Sequence, residues 1–251
     1  MQTSVKSQVS QEEWQTRVDL AACYRMVAHY GWDDLIFTHI SARVPGPEHH
    51  FLINPYGMMF DEVTASSLVK VDLNGEKVME SDYDINPAGF IIHSAVHDAR
   101  DDAKCVMHLH TKAGIAVSVL QEGLKAYSQQ SLFALSSLAY HEYEGVALNP
   151  EEKVRLVNDL GDKNFMILRN HGLLTAAESI ADAFIYMFLL QRSCEIQLEA
   201  QATGQPLITI PDVILQGIQA QAKQVTRSAG GSLAWPGILR KLDRTNPGYT
   251  D

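Results

Sequence analysis

The string Cys105-Val106-Met107-His108-Leu109-His110-Thr111 leaves little freedom of local structure. Side chains alternate between the two faces of a β-strand, so Val106, His108 and His110 share one side while Cys105, Met107 and Leu109 take the other. The second set is wholly apolar. The pattern therefore predicts a strand with one face on a core and two imidazoles towards the end of the opposite face. Their Cα atoms would lie roughly 6.5–7 Å apart, near enough for both rings to meet one cation. A third histidine, His171, closes a second apolar run, Phe165-Met166-Ile167-Leu168, in the turn-prone Asn170-His171-Gly172. Three neutral imidazoles with an open fourth position form a divalent-metal Lewis acid, the arrangement of catalytic rather than structural zinc. The plainer alternative is three ordinary histidines near strand ends.

Composition bounds what such a strand can belong to. The chain has 251 residues, 46% of them hydrophobic and 20% charged, which is a globular balance with ample material for a core. A net charge of −10 argues against nucleic acid or an anionic membrane as partner, because either needs a basic face. Cys23, Cys105 and Cys194 are odd in number and form no CxxC pair, so neither a disulfide framework nor a thiolate zinc site is expected. The polar stretch 1–10 has no apolar signal core, and the longest apolar run, 184–190, is too short to span a bilayer. A soluble cytoplasmic protein is expected.

Taken in order, Ser10-Gln11-Glu12-Glu13 reads as a capping box opening a helix that Gly31 closes, with Trp14, Val18, Ala21, Ala22 and Met26 on one face. Strands are expected at 37–44, 51–54 and 68–73, the last turning at Asn74-Gly75 into 77–79. Asn86 followed by Pro87 starts a helix running to Arg100. A short helix at 112–120 and another opened by Asn149-Pro150 and ended by Gly161 follow. A long helix at 178–203 stops at Gly204, and its apolar stripe (Ile180, Phe184, Ile185, Tyr186, Met187, Leu189, Cys194) is too wide for a one-sided surface element. Either that helix is central in the monomer or its second face meets another subunit; the latter is the expectation. Weaker helices at 213–225 and 238–242 flank a Gly/Ser-rich break at 228–232. With no composition break, residues 1–251 read as a single α/β (α+β) domain, its core at about 12–204 and a helical tail at 205–251.

Several of these strings together resemble the class II aldolase/adducin family: Asn86-Pro87-Ala88-Gly89-Phe90 through His93-Ser94-Ala95, then 106–111, Ala139-Tyr140-His141-Glu142-Tyr143, and Leu168-Arg169-Asn170-His171-Gly172. The segment 63–70 is closest to the adducin head domain. The resemblance implies a three-layer α/β/α fold with a mostly antiparallel central sheet. It also implies a homotetramer with interfacial active sites, and a divalent metal, most often zinc with manganese or cobalt as alternatives, on His108, His110 and His171. The departures narrow the chemistry. Sugar-phosphate aldolases of this family carry an acid/base glutamate four residues before the position of His93, where this chain has Gly89. In their phosphate-gripping segments this chain has Thr38-His39-Ile40-Ser41 and Asn54-Pro55-Tyr56-Gly57. Tyr56 would crowd an anion, and Thr38 forfeits the close backbone approach of a glycine.

The chemistry expected is metal-dependent carbon–carbon lysis of an unphosphorylated hydroxy- or oxo-acid, a small-molecule substrate, by an aldolase or a decarboxylase. Decarboxylation suits Gly89 better, because it needs an electron sink and one proton donor but no base for a hydroxyl proton. His141 and Tyr143, two apart and so on one face if extended, are the expected donors, with His39 a third. Thr38, Asn54, Tyr56, Gly57, Gly89 and Arg169 are the expected substrate contacts, Arg169 as a carboxylate partner. His93 and His97 are expected to be packing or surface groups, and His49-His50 a solvated loop. The competing class is a catalytically inactive, adducin-head-like oligomeric scaffold.

Overall fold

A computed structural model describes residues 4–145, 150–226 and 230–251. Asn149, expected to cap a helix, and the first part of the 228–232 break lie outside the described residues. The first half of the chain forms α1 (Gln11–His29), β1 (His39–Arg43), β2 (Phe51–Ile53), β3 (Val69–Val71), α2 (Pro87–Ala99) and β4 (Cys105–Leu109). Next come α3 (Lys112–Ser118), α4 (Gln129–Leu135), β5 (Leu138–His141), α5 (Pro150–Leu160), β6 (Phe165–Leu168) and β7 (Gly172–Ala177). The chain ends with α6 (Ile180–Ala202), α7 (Asp212–Thr226) and α8 (Gly231–Thr245). The strands build one sheet in the order β3-β2-β1-β4-β7-β6-β5, antiparallel throughout except for the β5–β6 pair. No helix among the described residues is long and apolar enough to cross a membrane.

Alternation along the strands sorts the core into layers. Cys105, Met107 and Leu109 face α1, α6 and α8, in one cluster with Leu20, Met26, Phe184, Leu190 and Leu242. Val106 faces the other way, towards Ile92 and Val96 of α2 and Leu156 and Leu160 of α5. That second layer shares its side of the sheet with His108, as the sequence pattern requires. The mostly antiparallel three-layer α/β/α expectation is therefore met.

Local signals place several boundaries. Ser10 Oγ accepts the Glu13 N–H at 3.1 Å, but the reciprocal half of the capping box is missing. The Glu13 carboxylate instead holds Arg17 (3.0 Å) and Lys70 (2.7 Å). Gly31 follows α1 with φ +65°, where a side chain would be strained. Pro87 and Pro150 each occupy the first position of a helix, as expected.

Two expectations need correction, and that for α6 is met in part. The hairpin at Asn74-Gly75 forms its turn, but 77–79 adds only a single bridge, Val71 to Lys77, because Asp72 accepts the Asn74 and Glu76 N–H groups and draws the chain into a tight loop. Part of the wide apolar stripe of α6 (Ile180, Phe184, Met187 and Cys194) is covered within the chain by α1, α3, α4, α8 and the sheet, so that helix is central in the protomer, while Ile185, Tyr186 and Leu189 stay half-buried. The weak helix at 238–242 is in fact the longer α8, anchored by the Trp235 indole N–H donating to Asp19 at 2.8 Å.

Candidate metal centre

β4 lies beside β1 and β7 in the middle of the sheet, with its C-terminal end opening onto a cleft of 570 Å³. His108 and His110 reach that cleft from the last turn of the strand pattern, and His171 reaches it from the three-residue connection between β6 and β7. Asn170 adopts φ +55°, a left-handed conformation that asparagine tolerates, and the His171 N–H donates back to Leu168 O at 3.1 Å. Gly172 completes the aim. A Cβ there would sit 2.6 Å from the Leu109 carbonyl, so only glycine lets this turn close onto β4.

The three side chains converge. His108 Nε2 lies 3.0 Å from His110 Nε2, which lies 2.9 Å from His171 Nε2. One potential ligand atom from each falls within 4.8 Å of the others. Two of the rings are fixed from behind. His108 Nδ1–H donates to Leu173 O at 3.1 Å, and His110 Nδ1–H donates to the Asp34 carboxylate at 3.0 Å. With those protons on Nδ1, both Nε2 atoms present lone pairs to each other across 3.0 Å. Such a contact is repulsive without something positive between the nitrogens. Three nitrogens bonded at ~2.05 Å to a tetrahedral ion would stand about 3.3 Å apart, close to what is seen. Burial first, and the neighbouring imidazoles second, hold His108 well below the ordinary histidine range. The same causes, in the same order, bring His171 down to about 4, with His110 and His141 as the neighbours. The donor set thus fits a divalent cation: neutral, preoriented, and open on the cleft side.

Around this cluster the predicted residues divide. His39 stands beside the centre because it is the register partner of His108 on the adjoining strand, and the two rings stack at 6.0 Å. Its buried ring fills the space next to Gly89, where a Cβ would fall 2.1 Å from His39 Nε2. Burial, then the charges of His110 and His171, lower its pKa to about 3. Tyr143 lines the cleft and meets the His171 ring edge-on at 6.2 Å; Tyr56 and Gly89 line it too.

The others are not brought there. His141 is turned into α5, where Asp159 takes its Nδ1 at 2.7 Å and Glu152 lies 3.8 Å from Nε2. β5 ends at His141, so the strand geometry that would align it with Tyr143 stops two residues short of that tyrosine. Arg169 donates to the carbonyls of Leu120 and Gln121 and lies over the Tyr140 ring, leaving no guanidinium for a substrate. Asn54 is occupied by the Tyr24 hydroxyl at 2.9 Å, Thr38 is fully buried, and Gly57 lies outside the cleft wall. Sequence reasoning missed Asp34, Phe37, Asn86, Ile92, Ile115 and Asn170, which complete the lining with Gly145.

Behind His39 runs a buried polar seam. The Ala103 carbonyl can only accept, so His97 Nδ1 donates to it at 2.9 Å and His97 Nε2 accepts from Ser41 Oγ at 2.7 Å. Ser41 Oγ then accepts from His93 Nδ1 at 2.6 Å, His93 Nε2 is buried without a hydrogen-bond partner among the described residues, and the His93 and His39 rings lie 5.4 Å apart between centroids. His93 and His97 are both 1% exposed, so they are not surface groups.

A profile of the family described as Class II Aldolase and Adducin N-terminal domain matches residues 18–198. The chain belongs to that family. A Pseudomonas aeruginosa protein, placed among the class 2 aldolases by its name, is 65% identical to this class II aldolase/adducin chain over 248 residues, 98% of this chain and 95% of that one. Mouse alpha-adducin is 47% identical over 191 residues, which is 75% of this chain and 26% of adducin. Among solved structures, an aldolase II superfamily protein from Pseudomonas syringae superposes with TM-score 0.94 at 47% identity, covering 99% of this chain and 100% of its own. The L-fuculose 1-phosphate aldolase of Glaciozyma antarctica superposes with TM-score 0.81 at 28% identity, covering 93% and 90%.

Proposed function

We propose that this cleft is the active site of a divalent-metal-dependent lyase acting on carbon–carbon bonds of an unphosphorylated hydroxy- or oxo-acid, of the aldolase or decarboxylase type. The observation that carries the reading is the convergence of three Nε2 atoms, two with their tautomers set by Leu173 O and Asp34, on a point open to the cleft. His108, His110 and His171 would hold the ion; three imidazoles suit zinc best, with manganese or cobalt as alternatives. When bound, the ion supplies Lewis acidity towards a substrate oxygen. Asp34 and the Leu173 carbonyl keep the rings aimed. Gly89 offers no base for a hydroxyl proton, whereas the Tyr143 hydroxyl stands in the cleft to deliver one, a division that favours decarboxylation; His39, kept neutral by burial, lines the site beside it.

The identity to mouse alpha-adducin supports a second reading, an inactive oligomeric scaffold. Metal analysis of purified protein should find about one divalent ion per chain, lost in His108→Ala. Release of CO₂ or aldehyde from a panel of hydroxy- and oxo-acids then supports the enzyme; a metallated protein silent across the panel supports the scaffold. Family membership also makes a homotetramer with sites at subunit interfaces part of the proposal, to be read by light scattering.

A further inference from the structure

The walls of the cleft differ sharply from its base. Phe37, Tyr56 and Tyr143 line it while remaining 48%, 41% and 54% exposed, and Ile92 and Ile115 lie among them. Rings left this open on a folded surface are a cost in water unless something flat covers them. No lysine or arginine lines the cleft among the described residues. Arg169, two residues before His171, is committed to backbone carbonyls, and Lys112, two residues after His110, is not among the lining residues.

Charge then decides what fits. Imidazoles that hold a metal are neutral, Asp34 contributes one negative charge, and a divalent ion contributes two positive. The filled centre is left with a single positive charge, which one carboxylate neutralises. A phosphate ester brings about −1.5 to −2 by itself, and with a carboxylate it would leave an excess of negative charge beside Asp34 that no lysine or arginine of the described lining meets. Resting on the assignment of His108, His110 and His171 as metal ligands, we infer that the cleft selects a monoanionic 2-hydroxy- or 2-oxo-acid carrying an aromatic group. The oxygenated head lies at the histidines, the ring lies among Phe37, Tyr56 and Tyr143, and phosphorylated ligands are rejected.

Three acids test this by calorimetric titration of the zinc-loaded full chain: mandelate and lactate, which share a free 2-hydroxy-acid head and differ as phenyl against methyl, and phosphoglycolate, a carboxylate whose 2-oxygen carries a phosphate. Mandelate should bind at least about tenfold more tightly than lactate, the scale on which an added apolar group is read by a fitted pocket. Phosphoglycolate should bind no more tightly than lactate. Phe37→Ala and Tyr56→Ala should each erode the mandelate preference while leaving lactate affinity and metal content unchanged, which separates loss of the ring contact from misfolding. Equal affinity for mandelate and lactate, a preference that survives both substitutions, or phosphoglycolate as the tightest ligand would overturn the inference. Metal content is measured on the same samples. One ion per chain without ring preference sinks the substrate class alone, whereas no bound ion sinks the metal assignment and this inference with it.

Discussion

His39 and Gly89 divide one volume. The imidazole occupies the space that any side chain at 89 would need, with a Cβ only 2.1 Å from Nε2. Gly89→Ala must therefore displace a ring that β1, α2 and the stacked His108 hold in place, a form of overpacking that costs about 1–3 kcal/mol. Removing the ring should relieve it. In a double-mutant cycle followed by urea unfolding, Gly89→Ala and His39→Ala should couple by about 1 kcal/mol or more; simple additivity would mean that the two do not compete for space. The seam behind His39 makes a separate prediction. Among the described residues Ser41 Oγ is the bridge from His93 to His97, and Ser41→Ala strands two buried ring nitrogens. A loss of about 1–3 kcal/mol is expected, the usual cost of an unsatisfied buried polar group, and a change within 0.5 kcal/mol would show that the seam is dispensable.

At the level of elements, the β6–β7 connection carries the third histidine of the candidate metal site, and its two special residues should behave differently. Gly172→Ala sets a methyl group 2.6 Å from the Leu109 carbonyl and must push the hairpin away from β4, carrying His171 with it. Zinc affinity, measured by competition with a chelator, should fall by about 10–100-fold, the range seen when the support of a ligand is lost. Asn170→Gly keeps the left-handed turn available and should leave affinity nearly unchanged. A Gly172→Ala protein with wild-type affinity would show that the close approach does not aim His171. This turn was readable from Asn170-His171-Gly172, and β4 from its alternation, because both signals are local. β7 was not, since all six of its residues are buried between two layers and show no period. Nor was the pairing of His39 with His108, which depends on strand register across the sheet, or the bond from Asp34 to His110, which spans 76 residues. The wide stripe of α6 was legible as excess apolar surface, but a single sequence does not say what covers each part of it; here the chain covers Ile180, Phe184, Met187 and Cys194 and leaves Ile185, Tyr186 and Leu189 half-buried.

For the molecule as a whole, the layer between α2 and the sheet should govern the response to acid. His93 and His97 are buried there in neutral form. Burial, then the charges of His39 and His97, holds His93 well below the ordinary range. Burial brings His97 down to about 3; its bond to Ala103 O works against this, and Arg43 and Lys104 add to it. The unfolded chain titrates these groups near 6.5. Above that pH both states are neutral and stability is fully present. As pH falls below 6.5 the unfolded chain takes up protons that the native protein refuses, so stability declines until the depressed native pKa is reached, near 3 for His97. Each group removes at most about 1.4 kcal/mol per pH unit, and the two together about 4 kcal/mol between pH 7.5 and 5. The net charge of −10 acts in the opposite direction, since self-repulsion relaxes on acidification, but solvent screens that term and it is spread over the surface. Against the 5–15 kcal/mol typical of folded domains the histidine loss is large. Urea midpoints should stay flat from pH 8 to 7 and then fall steeply towards pH 5; His39, His108 and His171, also held down by burial, add to the fall, and His97→Gln should remove about 2 kcal/mol of it. A midpoint that holds or rises as the pH is lowered to 5, or an unchanged slope in His97→Gln, would show that this buried layer does not set the acid limit of the fold.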